Sequence, residues 1–336
     1  MSEKSNQESK RTAGEAGWHL SRYNLSAPVP GKDAVAIANL FKGTCAEYSP
    51  LELYLLSVLD RLDEQIDQLS ERSERLIAVG GDGTMNAVMS RLARQSDLCT
   101  SVGLVPLGTG NDLARVLGIY RNFVDKGLAN TLRKLVTARS VLFDLWGLPG
   151  GRTMGAYLSA GLDAEVTRAW NVDRAAGRIP FSSPLVNKAW YLPIFWRNRN
   201  RRLPAGSRVR WEEPGGGVRE QELEGKCTLL VGNISSYAAG ASPLAGNDFG
   251  DGLLRMLFLP NLSSFFFALG ATRSRFGSWL FRTLHPVKTA RCVEFFLPAG
   301  EALQIDGEMV DADGEGMTGR WVRISRLGRV RLLSLE

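Results

Sequence analysis

One pattern, used twice, constrains what this chain can fold into more than any other feature. "LIAVGG" (76–81) and "TSVGLVPLG" (100–108) are short apolar runs that end in glycine. Each passes at once into an amphipathic segment, "TMNAVMSRLAR" and "NDLARVLGI". Near-continuous apolar runs of this length suit strands buried on both faces, and the segments after them suit the covering helices. "GLANTLRKLVTA" then reads as a third helix and "SVLFDLWGL" as a third strand. This alternation predicts an α/β domain with an open, mostly parallel sheet. Upstream, "SPLELYLLSVLDRLDEQIDQLSERSERL" sets Leu51, Leu55, Leu59 and Leu62 at helical spacing behind Ser49 as an N-cap.

From about residue 150 the texture changes. "TMGAYLSAGLDAEV", "RVRWEEP", "VREQELEGKCTLLVGNI", "GDGLLRMLFL", "CVEFFLPAGEALQIDGEMV" and "GRWVRISRLGRVRLLSL" are strand-like runs separated by glycine turns. Helical stretches interrupt them near 187–196 and 261–284. A mainly antiparallel, β-rich second domain follows from that pattern. The predicted organisation is a disordered tail over 1–20, a first domain over 21–150 and a second over 151–336. The tail is polar and mixed in charge, without the apolar core of a signal peptide.

The two glycine loops carry the chemistry. Gly80, Gly81 and Gly83 are able to take positive φ and keep side chains out of a ligand's path. N–H groups at the start of the next helix then suit a phosphate. Asp82 makes sense there if Mg²⁺ rides on the phosphates, or if it orients an attacking group. The second loop repeats the plan with Gly108, Thr109, Gly110, Asn111 and Asp112. Taken singly, either loop reads equally well as a plain strand-to-helix turn. No GxxxxGK[ST] or GxGxxG sequence opens these units, and HRD and DFG are missing, so the P-loop, dinucleotide and protein-kinase patterns are excluded. With only His19 and His285 in the chain, carboxylates must do any acid–base work. The four cysteines lie far apart without a CxxC pair, which suits a reducing compartment.

"GGDGT" followed by "PLGTGNDLAR" resembles, in order and spacing, the catalytic domain of diacylglycerol kinases. The resemblance continues through "LVTARSVLFDLWGL", "YLSAGLDAEVT", "VNKAWYL", "LLVGNISSYAAG", "FGDGLLRM" and "LQIDGEMV", which are similar to the eukaryotic-type accessory domain. It covers roughly 75–335. What it implies is transfer of phosphate from ATP, with Mg²⁺, to the free hydroxyl of diacylglycerol, giving phosphatidic acid. Gly80, Gly81, Asp82, Gly83 and Thr84 match the nucleotide loop, and Gly108 to Asp112 the second, with Arg115 one turn into its helix. Asp306 and Glu308 match the acidic motif where the family is thought to find its general base, which implies an active site in the inter-domain cleft. Asp144, a carboxylate in the apolar "VLFDLW", is implied as a support for the metal beside Asp82, or else as a buried hydrogen-bonding group. Asp251 in "FGDGLL" is read as a metal contact or a turn.

The chain departs from the family at its start. Members usually run from an apolar strand into an "NPxSG"-like loop, and here "AVAIANLFKG" (34–43) offers Asn39, Lys42 and Gly43 in another order. That keeps open a module that binds lipid or nucleotide without turnover. The other alternative is a related kinase acting on NAD, or on a sphingoid base or ceramide, against which the Asn111-Asp112 pair counts. The sequence contains no cysteine/histidine-rich lipid-sensing module, so recruitment would fall to the body of the protein. A net charge of +6 favours anionic partners. "FWRNRNRRL" and "SFFFALGATRSRFGSWLFRTL" mix arginines with aromatics, which suits anionic phospholipid at a membrane surface. The competing reading of the second stretch is a core-packed helix with its arginines outward. Nothing reaches the ~20 apolar residues of a membrane span, and no nucleic-acid motif accompanies the basic stretches. The expectation is a cytoplasmic protein that associates peripherally with membranes.

Overall fold

The computed structural model describes residues 66–67, 70, 75–95, 100–108, 110–178, 184–244, 248–310 and 317–336. The tail, the 34–43 segment, most of the helix expected over 49–75, and Thr109 lie outside them. The chain forms two compact units, one of residues 1–143 with 330–336 and the other of 144–329. The expectation of a second domain running to 336 is thereby revised, because the last residues belong with the first unit.

In the first unit, β1 (Arg75–Gly80) and β2 (Ser101–Pro106) pair in parallel along six residues, from Arg75↔Ser101 to Gly80↔Pro106. The end of β14 (Trp321–Ser334) adds a third parallel strand through Arg331↔Ser101 and Leu332↔Val102. Its last residues are anchored by the Leu335 N–H, which donates to the Leu117 carbonyl at 2.9 Å. β2 is buried along its whole length, as its unbroken apolar run requires. Helix α1 (Asp82–Leu92) buries Met85, Val88, Met89 and Leu92, one stripe at helical spacing. Two further helices follow, α2 (Asp112–Val116) and α3 (Ile119–Thr137). A third helix was expected from Gly127, and a helical stretch does follow it. Gly127 itself is non-helical, at φ 77°, and a further helical stretch from Ile119, not expected, precedes it across this kink.

β3 (Arg139–Gly147) leads into the second unit, where β4 (Thr153–Met154) pairs with its end. The remaining strands are β5 (Tyr157–Gly161), β6 (Arg208–Glu212), β7 (Val218–Glu222), β8 (Thr228–Gly232) and β9 (Leu254–Leu259). They are followed by β10 (Lys288–Ala290), β11 (Cys292–Phe296), β12 (Leu303–Ile305) and β13 (Glu308–Val310). Two antiparallel arrays result, one ordered β10-β9-β8-β5-β12-β13 and the other β14-β11-β6-β7. Leu158, Leu229, Val231 and Met256 from the first array share a core with Val209, Phe295, Val322 and Ile324 from the second.

The first array is also covered on its outer face. Leu230 and Leu257, pointing the other way, pack with Val166, Ile194, Phe265 and Phe281 of the helices. That two-sided burial explains why "TLLVG" reads as a continuous apolar run although its pairing is antiparallel. The helices are α4 (Leu162–Ala175), α5 (Pro184–Asn198), α6 (Leu262–Gly270) and α7 (Arg275–Leu284). "LDAEV" was expected to continue a strand, and it opens α4 instead. The pivot is Gly161, with φ 90° and so little room that a Cβ would fall onto the Cys227 carbonyl oxygen. Alternating apolar and polar residues across "GLDAEV" imitate a strand until that left-handed glycine turns the chain.

Candidate active site

The two glycine loops of the first unit touch. A Cβ on Gly108 would lie 2.5 Å from the Gly81 Cα and 2.9 Å from Asn111 Oδ1. A Cβ on Gly80 would lie 2.5 Å from Thr84 Oγ1, so the threonine side chain lies against that glycine. Positive φ was the expected reason for glycine here. Gly80, Gly81, Gly83, Gly108 and Gly110 all lie outside the positive-φ set, and Gly81 is extended at φ −104°. Crowding of backbone on backbone and on Thr84 is the reason instead. The left-handed residue of the second loop is Asn111, at φ 53°. Its buried side chain closes the loop on itself, accepting from the Gly108 N–H at 3.0 Å and donating to the Gly108 carbonyl at 2.5 Å.

Asp82 binds the second loop to the first. Its carboxylate accepts from the backbone N–H groups of Asp112 (2.9 Å) and Leu113 (3.1 Å), at the start of α2. Those are the groups expected to face a phosphate, and they are taken. α1, by contrast, starts at Gly81 with no side-chain cap. Gly110 has Asp82 Oδ2 and Asp112 Oδ2 at 3.3 and 3.7 Å from where its Cβ would be, so the two carboxylates flank one glycine. Burial pushes the Asp82 carboxyl up to about 6, and the neighbouring Asp112 charge adds to it; the two N–H bonds and the Arg115 charge act against the rise. Arg115 itself donates through Nε to the Gly110 carbonyl at 3.2 Å and lies over the Tyr120 ring at 3.7 Å.

In the second unit, Asp306 stands on the turn between β12 and β13, and Glu308 opens β13. Asp306 is left-handed, φ 52°, and Gly307 follows at φ 85°. The Asp306 carboxylate accepts three backbone N–H bonds at 2.8 Å, from Gly155, Ala156 and Tyr157, so its orientation is fixed. Glu308 is exposed. Sequence reasoning missed what supports this turn. Gln304 accepts from the Gly307 N–H at 2.7 Å, and its Nε2 donates to Ser159 Oγ (2.9 Å) and Asp163 Oδ2 (3.1 Å). Burial pushes the Asp163 carboxyl up. The available signal was the polar residue in the apolar strand "LQI".

Asp144 is held within the second unit. Its fully buried carboxylate accepts from the Gly252 N–H at 2.5 Å and from Arg329 Nε at 2.9 Å, with Arg326 3.6 Å away. These partners compensate a buried carboxylate that would be costly alone. Asp251 is likewise paired, with Arg255. Asn233, also missed, braces the same region by accepting from Trp146 Nε1 at 3.0 Å and donating to the Asp144 carbonyl at 2.8 Å.

Crowded glycine loops after parallel strands, followed by a two-array β unit, define a two-unit α/β protein. That fold is shared with a diacylglycerol kinase from Bacillus anthracis str. Sterne, at a TM-score of 0.56 and 14% identity over 89% of this chain and 91% of that one. A model of the diacylglycerol kinase catalytic domain matches residues 31–143, and one of the accessory domain matches 153–309. The chain belongs to the diacylglycerol kinase family. Human diacylglycerol kinase zeta is 30% identical over 194 residues, which are 50% of this chain and 21% of that protein. Human diacylglycerol kinase iota is 30% identical over 193 residues, 50% of this chain and 18% of that protein. The matched region thus spans about a fifth of the length of these relatives.

Proposed function

We propose that the chain is an ATP-dependent kinase that phosphorylates diacylglycerol to phosphatidic acid. The observation that carries this reading is the pair of loops joined at Gly81 and Gly108, with the Asp82 and Asp112 carboxylates on either side of Gly110. The uncapped first turn of α1 is where phosphate oxygens would be received, since the first N–H groups of α2 already serve Asp82. Two carboxylates beside one glycine, one of them raised first by burial and then by the other's charge, fit a divalent cation. Asp82 and Asp112 would hold Mg²⁺ together with the nucleotide's own oxygens, and the chemistry it supplies is neutralisation of phosphate charge. Arg115 keeps the second loop in place through the Gly110 carbonyl.

Asp306 receives the proton of the acceptor hydroxyl. Its three N–H bonds aim the carboxylate, and its left-handed backbone is a conformation a non-glycine residue keeps only when its surroundings enforce it. Phosphoryl transfer asks more for alignment and charge neutralisation than for a strong base. Glu308, exposed beside it, is assigned to the same reacting end. In this reading both units serve one reaction.

The test is transfer of labelled γ-phosphate from ATP·Mg²⁺ to diacylglycerol in mixed micelles, with sphingosine and ceramide as competing acceptors. Label in phosphatidic acid is the expected result. Label in another lipid would keep the mechanism and change the acceptor. No label from folded protein that still binds ATP would replace the reading with a binding module.

A further inference from the structure

Helix α7 is built inside out. Its buried side is Gly277, Ser278 and Phe281, while Phe276 and Trp279 stand 71% and 58% exposed and Leu284, one and two turns on, is exposed with them. Phe276 and Trp279, three residues apart, share one face, and Leu284, eight residues after Phe276, lies at its edge. The small residues are inside for a steric reason: a Cβ on Gly277 would fall onto the Ala271 carbonyl oxygen. Ser278 Oγ also donates to the Ser242 carbonyl at 3.0 Å. The backbone of α7 is therefore pressed against the protein at Gly277 and Ser278, and Phe276 and Trp279 face out while Phe281 packs inward. Phe265 and Phe281 pack in the core, as the competing sequence reading expects, while Phe276 and Trp279 stand outside it beside the arginines.

Charge singles out the occupant. Residues 252–293 contain six basic side chains and no aspartate or glutamate, although the chain as a whole is rich in both. Arg273 and Arg275 flank the start of α7, Arg282 lies within it, and Lys288 follows. The pattern recurs on α5, in the acid-free stretch 174–211, where Trp196 is 70% exposed with the Arg199 guanidinium 4.5 Å from its ring centre. The helices are linked through rings: Phe195 of α5 lies 5.4 Å from Phe265 of α6, and Phe267 of α6 lies 5.5 Å from Phe281 of α7. At the end of α5, Arg197 and Arg201 are paired with Asp173 and Glu301 from other elements, so α7 carries the argument. Bulky apolar groups beside cations in an acid-free stretch complement an interface that is apolar within and negative at its surface.

We infer that the outer face of α7 is a membrane-docking surface that inserts Phe276, Trp279 and Leu284 into the interface of an anionic phospholipid bilayer. Arg273, Arg275 and Lys288 meet the lipid phosphates. α7 lies in the plane of the interface, since among the described residues no helix is long and apolar enough to cross a membrane. The inference goes beyond the kinase reading and holds whether or not the chain transfers phosphate.

The experiment is co-sedimentation of the full chain with phosphatidylcholine vesicles, with and without phosphatidylserine, in the absence of diacylglycerol and ATP. The wild type is expected to bind the phosphatidylserine vesicles, and to release them as salt rises. The Phe276→Ser/Trp279→Ser double variant is expected to lose about a hundredfold in affinity, and Arg275→Gln/Lys288→Gln about tenfold. All four side chains are exposed, so unchanged thermal unfolding is expected to accompany the loss. Leu284→Glu provides a second break of the same face. Failure of the wild type to bind, or equal binding by Phe276→Ser/Trp279→Ser, would overturn the inference. So would a wild-type dimer that these substitutions turn into a monomer, because the face would then belong to a second copy.

Discussion

The same dipeptide, Asp-Gly, stands at 82–83 in the first unit and at 306–307 in the second, in opposite physical settings. Asp82 lies in crowded backbone, where glycines are needed because Gly81 and Gly108 approach to contact. It shares its surroundings with Asp112, and burial and that charge together raise its carboxyl to about 6. Asp306 lies in an open turn of left-handed residues, where a Cβ on Gly307 would meet nothing within 4 Å. Its carboxylate is held by three backbone N–H donors. The difference teaches that an Asp-Gly motif carries no fixed role. In the proposed reading, the carboxylate short of compensating charge would gather a cation, and the one oriented by three donors would serve as a fixed acceptor.

The largest expected effect separates these roles by turnover. Asp306→Asn should lower kcat by about 10²–10⁴-fold, the range for removing a proton acceptor. Its ATP affinity should stay near that of the wild type, as judged by equilibrium binding of labelled nucleotide. A parallel loss of nucleotide binding would erase the distinction.

Glycine replacement compares the two backbones. Gly108→Ala drives a methyl group into Gly81 and should destabilise the protein by about 2 kcal/mol in urea unfolding, the range for overpacking. Gly307→Ala meets only the left-handed penalty and should lose about 1 kcal/mol. Equal losses would mean that the loops separate without strain.

The smallest effect is in pH. Asp82 has its carboxyl raised above the ordinary 3.8, so the folded state holds that proton more tightly than the unfolded state. The resulting stabilisation is full below about pH 4 and is lost as pH rises through about 6. With a discount for partial exposure, metal-free protein should lose about 1 kcal/mol across that window relative to Asp82→Asn. The check is urea unfolding in chelator at pH 4, 5, 6 and 7; a flat difference between the two proteins would remove the like-charge pair from the account.

Much of the first unit was legible because apolar runs and glycines punctuate it: β1, β2, β3 and the helices after the loops all follow from "LIAVGG", "LVPLG" and "SVLFDLWGL". What sequence could not supply was why the glycines are there, since close approach of Gly81 to Gly108 depends on two segments nearly thirty residues apart meeting in space. The return of β14 to pair with Ser101 was hidden for the same reason. Helix α4 was missed because its first turn alternates like a strand. The Gln304–Ser159–Asp163 network joins strands remote in sequence, so each residue alone looked ordinary. Asp144 was legible as unusual, but its partners Arg329 and Gly252, far away in sequence, were not.

The most direct test of a cation-gathering Asp82 and a proton-taking Asp306 is the rate of phosphate transfer to diacylglycerol as Mg²⁺ is varied. Wild type, Asp82→Asn and Asp306→Asn would be run together. The expected result is a half-maximal Mg²⁺ concentration raised about tenfold or more in Asp82→Asn, and unchanged in Asp306→Asn, whose rate stays low at every Mg²⁺ concentration. A raised Mg²⁺ requirement in Asp306→Asn with none in Asp82→Asn, or wild-type rates in both, would contradict it.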